Sequence, residues 1–334
     1  MKRIKFLMSL LLAVVVLFGC KGSGSQGKWL SSSTGFAGEV LIVCPEKHWK
    51  GILGDSLQEI LMQPVSILPQ YEPMFSLSHV APKQFSEAYQ KLRSIIILSV
   101  DTLLEKGNIS VAYNQWAEPQ IVITISADNM QNLINELSTY QNDLIDCLIK
   151  REMKRFLQAQ KSRQDFHLSG EIEKRYKLAM VIPNGFVFAV KNSNFCWLRR
   201  DSKDWIQSIM VYTQDYAGDE QFSEKYILQL RDSLTKRYVF GDADSSYITT
   251  NKADCPPITE QSSAFGETYA LRTVGLWETV GDRMGGPFVN FTLLDEKNQR
   301  VITIDAFLYA PADKKRDLLR QLEAILLYAD FTEK

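Results

Sequence analysis

The sequence predicts a mixed α/β protein of the α+β class, in which two halves are joined by helices. In residues 38–126, short apolar runs alternate with segments of helical periodicity, which is typical of a β-α-β-α-β arrangement. Residues 127–161 contain neither glycine nor proline and repeat apolar residues at helical spacing. From residue 179 onward, alternating apolar and polar residues predict strands again. We therefore expect an N-terminal α/β half, a long connecting helix, and a C-terminal half with an antiparallel sheet and packed helices.

The chain begins with a segment that resembles a bacterial lipoprotein signal peptide. Basic residues precede an apolar run over residues 4–18, which is too short to cross a hydrocarbon core of about 30 Å. The run closes on Leu17-Phe18-Gly19-Cys20. This box resembles a lipobox, the motif whose cysteine thiol receives a diacylglycerol while its freed amine takes a further acyl chain such as palmitate. We predict removal of residues 1–19 and lipidation of Cys20, in preference to an uncleaved anchor or ordinary secretion.

Residues 20–37 predict a tether and a location. They begin with a run rich in glycine and serine, which is typical of a flexible linker. Lys21 stands where an aspartate would retain a lipoprotein at the inner membrane, and this resembles the sorting signal for the outer membrane. No acidic cluster follows of the kind that accompanies export to the cell surface in some lineages. We therefore expect an outer-membrane lipoprotein whose folded body faces the periplasm.

The elements of the N-terminal half follow from their periodicity. Continuous apolar runs predict buried strands, and apolar residues at helical spacing predict the helices between them. Three prolines between residues 63 and 73 exclude a long regular element there. Strands separated by helices imply right-handed crossovers. The predicted strands are residues 38–44, 75–80, 94–100, 108–113 and 120–125, and the predicted helices are residues 47–62 and 82–92.

Residues 127–178 predict a helical connector, with one long or gently broken helix at 127–161 and a second helix at 171–178. The remaining residues, 179–334, predict consecutive strands, an amphipathic helix, a long polar loop, three more strands and a final helix. The strands are residues 186–190, 194–200, 206–212, 268–278, 288–294 and 300–308, the helices are residues 222–238 and 313–329, and the loop is residues 241–261.

Charge and composition exclude several classes of protein. The net charge of the whole chain is −1, which gives no electrostatic support for nucleic-acid binding. None of the three histidines is paired with another at metal-ligand spacing, so we expect no metal and no cofactor. An even number of cysteines remains after Cys20, which permits disulfides in an oxidising compartment. They are Cys44, Cys147, Cys196 and Cys255, of which Cys44 and Cys196 lie in apolar surroundings typical of buried thiols.

Six segments of the chain form a recognisable set: Ile182-Pro183-Asn184-Gly185-Phe186, Asn194-Phe195-Cys196-Trp197-Leu198-Arg199-Arg200, Arg231-Asp232-Ser233, Arg272-Thr273-Val274-Gly275-Leu276-Trp277, Met284-Gly285-Gly286-Pro287-Phe288 and Arg320-Gln321-Leu322-Glu323-Ala324. They are similar to recurrent segments of a family of uncharacterised lipoproteins from Bacteroidetes, classed as a domain of unknown function. One departure is Cys196, where the family implies a small or aliphatic residue. The resemblance spans about residues 38–329, implies an envelope location, and carries no activity over to this chain.

One region has the residue types of a ligand site. Gly285 and Gly286 would let a backbone approach a ligand closely or present N–H groups to an anion. Arg272 and Trp277, nearby in sequence, are of the types that bind carboxylate groups and sugars. The favoured interpretation is a turn that enters a strand, with Trp277 in the core. The alternative is a pocket formed by Trp277 and a glycine loop.

The sequence favours a non-enzymatic binding or interaction protein. No GxSxG or GK[ST] motif occurs, although paired carboxylates that meet only in the fold remain open. The expected partners are the membrane, through the lipid anchor, and either another envelope protein or a small-molecule or glycan ligand. The alternative is an envelope hydrolase that acts on glycan or peptide material in a cleft between the two halves.

Overall fold

A computed structural model describes residues 29–241, 243 and 245–332. Cys20 and the predicted signal peptide lie outside the described residues. The described residues from Ser32 onward form one compact unit. The described part contains eight α-helices and seventeen strands, which confirms the mixed α+β class. None of its helices has both the length and the apolar character needed to cross a membrane.

The folded body begins before the end of the predicted tether. A two-residue strand, β1, lies at Ser31–Ser32. The backbone N–H of Ser33 donates to the carbonyl oxygen of Glu118 at 2.9 Å, and that of Thr34 donates to Lys91 at 2.8 Å. Residues 33–37 are therefore held against the N-terminal half and do not extend the tether.

Five strands form the N-terminal sheet, in the order β3-β2-β4-β7-β5. The first four are parallel, and β5 runs antiparallel to β7. Apolar side chains pack on both faces, those of helices on one and Phe85, Leu92 and Trp116 on the other. The central strands are accordingly apolar on both sides, as is typical of parallel sheets. Their bounds are β2 Glu39–Val43, β3 Ser76–Val80, β4 Ser94–Val100, β5 Asn108–Tyr113 and β7 Ile121–Ala127, with β6 at Ala117–Glu118, and all five predicted strands are confirmed.

The helices that follow β2 and β3 are shorter than predicted. The helix expected at residues 47–62 is two helices, α1 Glu46–Trp49 and α2 Ile52–Leu61, because the backbone of Gly51 is extended. The helix expected at residues 82–92 is a 3₁₀ turn at Pro82–Gln84 followed by the four-residue α3, Glu87–Gln90. Isolated helical periodicity of this length does not nucleate a long helix unless packing supports it.

The helical connector begins with two helices in place of one continuous helix. Helix α4, Met130–Thr139, and helix α5, Gln141–Lys161, meet at Tyr140, whose ψ of 17° breaks the run. Helix α6, Phe166–Tyr176, starts earlier than predicted because Asp165 caps it by accepting a hydrogen bond from Leu168 N at 2.9 Å. Helix α4 and the first half of α5 pack on the N-terminal sheet through Leu133, Leu137, Leu144 and Leu148.

The C-terminal sheet is antiparallel throughout and has eight strands. Its order is β12-β14-β15-β16-β11-β10-β9, and β13 pairs with β14 beside β12. A small separate pair is formed by β8, Leu178–Ala179, and β17, Asp330–Phe331. The bounds of the large sheet are β9 Val187–Lys191, β10 Phe195–Asp201, β11 Ile206–Asp215, β12 Tyr247–Asn251, β13 Ile258–Gln261, β14 Ala270–Val280, β15 Gly285–Asp295 and β16 Arg300–Tyr309.

The prediction of one long loop at residues 241–261 is wrong, because the segment contains β12 and β13. Both strands pair with the long strand β14, β12 with its end and β13 with its start. Their own sequences are polar and are separated by Pro256-Pro257. They exist because β14 offers ladder partners, which no local pattern reveals.

Helices cover both faces of the C-terminal sheet. Helix α7, Glu224–Tyr238, packs on one face, and α6 and α8, Arg316–Leu327, pack on the other. Helix α7 is tied to the sheet by Arg231 and Asp305, both fully buried, whose Nε and Oδ2 atoms are 3.0 Å apart. Asn290 also donates to Asp305 Oδ2, at 3.0 Å. Burial raises the pKa of the adjacent Tyr212, and Asp305 adds to this effect.

Helix α8 joins the two halves. Its first backbone N–H groups, of Lys315 and Arg316, donate to the Glu72 carboxylate at 2.6 and 3.0 Å. Glu72 lies in the N-terminal half, so the capping residue of α8 comes from a distant part of the chain. In the middle of α8, Gln321 O accepts a hydrogen bond from Gln160 Nε2 of α5 at 2.7 Å. The Gln160 contact joins α5 to α8, the Glu72 contacts join α8 to the segment before β3, and a cleft lies beside them.

Candidate functional site

A cleft of about 840 Å³ opens between the two halves. We call it the central cleft. Its apolar wall includes Ile145, Ile149 and Met153, which are spaced four residues apart and therefore lie on one face of α5. Glu260 and Gln261 of strand β13, with residues 262–264, form a polar wall. Helix α8 contributes Leu319, Arg320 and Glu323. The volume is in the range that holds a small molecule or a short peptide.

Arg320 is the buried cation of the central cleft. Its side chain is only 7% exposed. Its Nη2 donates to Met74 O at 3.0 Å, and its guanidinium carbon lies 5.3 Å from the centroid of the Phe75 ring. Its Nη1 has no hydrogen-bond partner. Burial, and to a lesser extent Arg316, lowers the pKa of Arg320, and the nearby carboxylates of Asp317, Glu152 and Glu323 only partly offset this. An arginine nevertheless remains charged at neutral pH. A buried cation with an unused donor favours an anionic ligand.

Arg272 forms ion pairs with two glutamates that line the central cleft. Its Nε and Nη2 donate to Glu323 Oε1 at 2.9 and 2.8 Å, and its Nη1 donates to Glu260 Oε1 at 3.2 Å. Burial lowers the pKa of Arg272, but Glu323 and then Glu260 outweigh it, so the pKa lies above the usual arginine value. Arg272 thus connects β14 to α8 and to β13. Its charge is already compensated by two acids.

The structure separates the predicted site residues. Arg272 lines the central cleft, whereas Trp277 is 2% exposed and packs with the core under α7. The two residues are five positions apart on β14, so they lie on opposite faces of the sheet. Trp277 Nε1 donates to Leu308 O at 3.2 Å. Arg272 and Trp277 therefore do not share a site. Trp277 lies in the core, as the favoured interpretation predicts.

Gly285 and Gly286 are the first two residues of β15. They therefore lie in the strand itself, and neither in the turn that the favoured interpretation places before it nor in the glycine loop of the alternative. They pair with Glu278 and Trp277 of β14. A Cβ atom on Gly286 would lie 2.0 Å from Leu308 O and 3.2 Å from Trp277 Nε1. Gly286 is therefore a glycine because the indole and the neighbouring backbone approach it closely.

Gly286→Ala is expected to lower the free energy of unfolding by about 1–3 kcal/mol, because the neighbouring backbone must move to admit a methyl group. Urea unfolding of residues 32–334 measures the change. Gly170→Ala is the matched control, since its Cβ would meet nothing within 4 Å. That exposed helical position is expected to become more stable by about 0.5–1 kcal/mol. Equal stability of Gly286→Ala and the unmodified protein would contradict the packing described above.

The residues of the central cleft give limited support to hydrolytic chemistry. Among its described lining residues there is no histidine to act as a base for Ser66, Ser262 or Ser263. Two of its carboxylates, Glu260 and Glu323, converge on Arg272, which uses both. A third, Asp146, pairs with Lys150. The arrangement suits the binding of a ligand better than acid–base catalysis.

The carboxyl edge of the parallel sheet is the other place where such an architecture binds ligands. His79 lies there, with Nε2 2.8 Å from Cys44 O and its ring stacked on Trp49 at 5.1 Å between centroids. The imidazole of His79 is therefore already engaged by a backbone carbonyl and an indole ring. In residues 29–241, 243 and 245–332, no group of three or more His, Cys, Asp or Glu residues is arranged to hold a metal ion.

The four cysteines of the described chain are free thiols. Burial raises the pKa of Cys44 to about 11, with a smaller contribution from Glu46. Burial likewise raises the pKa of Cys196 to about 11. Both are therefore buried and unreactive, as their apolar sequence surroundings indicate.

Sequence reasoning identified Arg272 but missed Arg320 and the α5 face. Arg320 lies among Leu318, Leu319 and Leu322, in a helix that reads as amphipathic. Its burial arises because α8 is covered by the C-terminal sheet on one side and by the N-terminal half on the other. No local pattern distinguishes this arginine from an exposed one.

Two family models together cover nearly the whole described body, as the resemblance implied. Residues 33–161 match a domain of unknown function (DUF8532), and residues 165–327 match another (DUF4837). The boundary between them falls where α5 ends. No curated protein matches the chain.

Solved structures of the protein Mog1 show a weak likeness. A mutant form of Mog1 is 11% identical, over 47% of this chain and 92% of that chain, with a TM-score of 0.30. The Saccharomyces cerevisiae Ran-binding protein Mog1p is also 11% identical, over 47% of this chain and 90% of its own, with a TM-score of 0.30. The family matches place a DUF8532 domain before a DUF4837 domain and together cover residues 33–327, which is consistent with an uncharacterised family.

Proposed function

We propose that this protein is a non-enzymatic binding protein of the bacterial envelope, anchored by a lipid on Cys20 in the outer membrane and facing the periplasm. The support for the anchor is the box Leu17-Phe18-Gly19-Cys20 behind a short apolar run, followed by a run rich in glycine and serine. Several acyl chains on one cysteine hold a protein stably at a membrane. The folded body is then free to bind a ligand near the membrane surface.

The ligand site of this proposal is the central cleft, and Arg320 is the observation that carries it. A ligand with an apolar body would cover Ile145, Ile149 and Met153. An acidic group on the same ligand would accept a hydrogen bond from the unpartnered Nη1 of Arg320. Charge-assisted hydrogen bonds of this kind are the strong ones. We therefore propose a partly apolar ligand that bears a carboxylate or a similar anion.

Two fluorescent probes of nearly the same shape test this site on residues 32–334. Anilinonaphthalene sulfonate has an apolar body and an anionic group, and N-phenylnaphthylamine has the same body without the anion. Arg320→Gln is expected to weaken binding of the sulfonate at least about tenfold, which corresponds to one lost charged hydrogen bond. Binding of the neutral probe is expected to change less than about twofold. Fluorescence titration measures both affinities.

Lys150→Gln is the matched control, because it removes one positive charge from the exposed rim of the same cleft. Lys150 is 77% exposed and pairs with Asp146. Its loss is expected to leave both affinities nearly unchanged. The thermal transition of each variant shows whether it is folded. If folded Arg320→Gln binds the sulfonate as tightly as the unmodified protein does, the proposed ligand site is wrong.

A further inference from the structure

The polar wall of the central cleft is a strand with an unpaired edge. Strand β13 pairs only with β14 among the described strands. The N–H of Ser262 donates to Ala270 O at 2.9 Å. In an antiparallel ladder, hydrogen-bonded and non-hydrogen-bonded pairs alternate. Because Ser262 and Ala270 form a bonded pair, the backbone groups of Glu260 and Arg272, two residues along, form the next one. Thr259 and Gln261 must then point their N–H and C=O groups away from β14.

The unpaired edge and Arg320 belong to the same cleft. Glu260 of β13 and Glu323 of α8 are joined through Arg272. Arg320 precedes Glu323 by three residues, which is about 4.5 Å along the helix axis. Glu260 and Gln261 of β13 line the central cleft together with Arg320, and Thr259 lies next to them on the same strand edge as Gln261. A ligand in the cleft therefore meets backbone hydrogen-bonding groups on one side and a buried cation on another.

We propose that the ligand of the central cleft is the carboxyl terminus of an extended peptide, which adds as a strand to β13. This inference rests on the proposed function. The peptide backbone would pair with Thr259 and Gln261, as in other cases of strand addition. Its alternate side chains would face the apolar wall formed by α5. Its terminal carboxylate would accept a hydrogen bond from Arg320 Nη1.

The chemistry of the cleft favours a peptide over a simple acyl chain. An acyl carboxylate would use Arg320 and the apolar wall but would leave the four outward backbone groups of Thr259 and Gln261 without a protein partner. A peptide supplies hydrogen-bond partners for these groups as well. It is the one common ligand that combines an extended backbone, alternating apolar side chains and a terminal anion.

A short peptide tests the inference directly on residues 32–334. The probe is an N-acetylated hexapeptide of alternating threonine and valine that ends in leucine, with a free carboxylate or with a carboxamide. The free acid is expected to bind at least about tenfold more tightly than the amide, and Arg320→Gln is expected to remove this difference. Binding of the acid is expected to slow hydrogen exchange at the N–H groups of Thr259 and Gln261 but to leave Glu260 unchanged.

Thr259→Pro separates strand addition from anion binding, because Thr259 is not among the described residues that line the central cleft. It removes an N–H that points away from β14, and proline is tolerated on edge strands in that position. The variant is expected to bind the peptide at least about tenfold more weakly and to keep its affinity for anilinonaphthalene sulfonate. Gln261→Pro is a second variant for the peptide measurement, should the first not fold.

The outcomes of the two tests are distinguishable. If the sulfonate probe depends on Arg320 but the peptide fails to bind or to protect Thr259 and Gln261, the strand-addition inference is wrong and the proposed function stands. If neither probe depends on Arg320 in a folded variant, both are wrong. Tight binding of the acid without protection of these two amides would also overturn strand addition.

Discussion

Asp305→Ala is expected to lower the free energy of unfolding by about 3–5 kcal/mol, because it leaves the fully buried charge of Arg231 without its partner. The guanidinium keeps only a long contact of 3.4 Å to Thr250 Oγ1 and its position 4.0 Å from the centroid of the Phe288 ring. Neither contact replaces a carboxylate. Urea unfolding of residues 32–334 measures the loss, which is expected as a lower midpoint with an unchanged slope.

Replacing both partners with apolar residues is expected to cost much less than removing one. Arg231 Nη2 and Asp305 Oδ1 have no hydrogen-bond partner. The attraction between the two charges therefore does not fully offset the free-energy cost of removing both from water. The combination Arg231→Met with Asp305→Leu tests this. Asp146→Ala removes an exposed ion pair and serves as the control, with no measurable change expected. A single Asp305→Ala variant as stable as the unmodified protein would show that the pair does not hold α7 to the sheet.

Cys20→Ser is expected to abolish incorporation of radiolabelled palmitate and to move the protein from the membrane fraction to the soluble fraction. A hydroxyl cannot take the thioether-linked diacylglycerol, and the apolar run at residues 4–18 is too short to hold the chain across a membrane by itself. Labelling in growing cells followed by fractionation measures both effects in the full chain.

Cys255→Ser is the matched control for this experiment, since it changes a free cysteine elsewhere in the chain. It is expected to leave the palmitate label and the membrane association unchanged. Retention of the label by Cys20→Ser, or its continued full association with membranes, would contradict the proposed anchor.

The parts of the fold that the sequence predicted well are those whose signal is local. Strand β4 is predicted residue for residue at Ser94–Val100, because a continuous apolar run bounded by polar residues has few alternatives. The long helical stretch is also recognised, and its break at Tyr140 falls within the predicted gently broken helix. Helix ends are less accurate, since capping by residues such as Asp165 overrides periodicity.

The errors concern segments whose partners are distant in sequence. Strands β12 and β13 are polar and short, and they are strands only because β14 lies beside them. The favoured interpretation places Gly285 and Gly286 in a turn before a strand, but both residues pair with β14 and belong to the strand itself. Arg272 does line the cleft, but the residues beside it there are Glu260, Glu323 and Arg320, and not Trp277, Gly285 and Gly286.

By itself, the sequence determined the α+β class, most strands and helices, and the expectation of a lipidated Cys20, because each of these depends on residues that are neighbours in the chain. The tertiary structure alone decided the central cleft. Its walls come from α5, α8 and β13, which are brought together by contacts such as that of Glu72 with Lys315 and Arg316. An arginine becomes a buried cation, and a polar segment becomes an open edge strand, only when distant elements surround them.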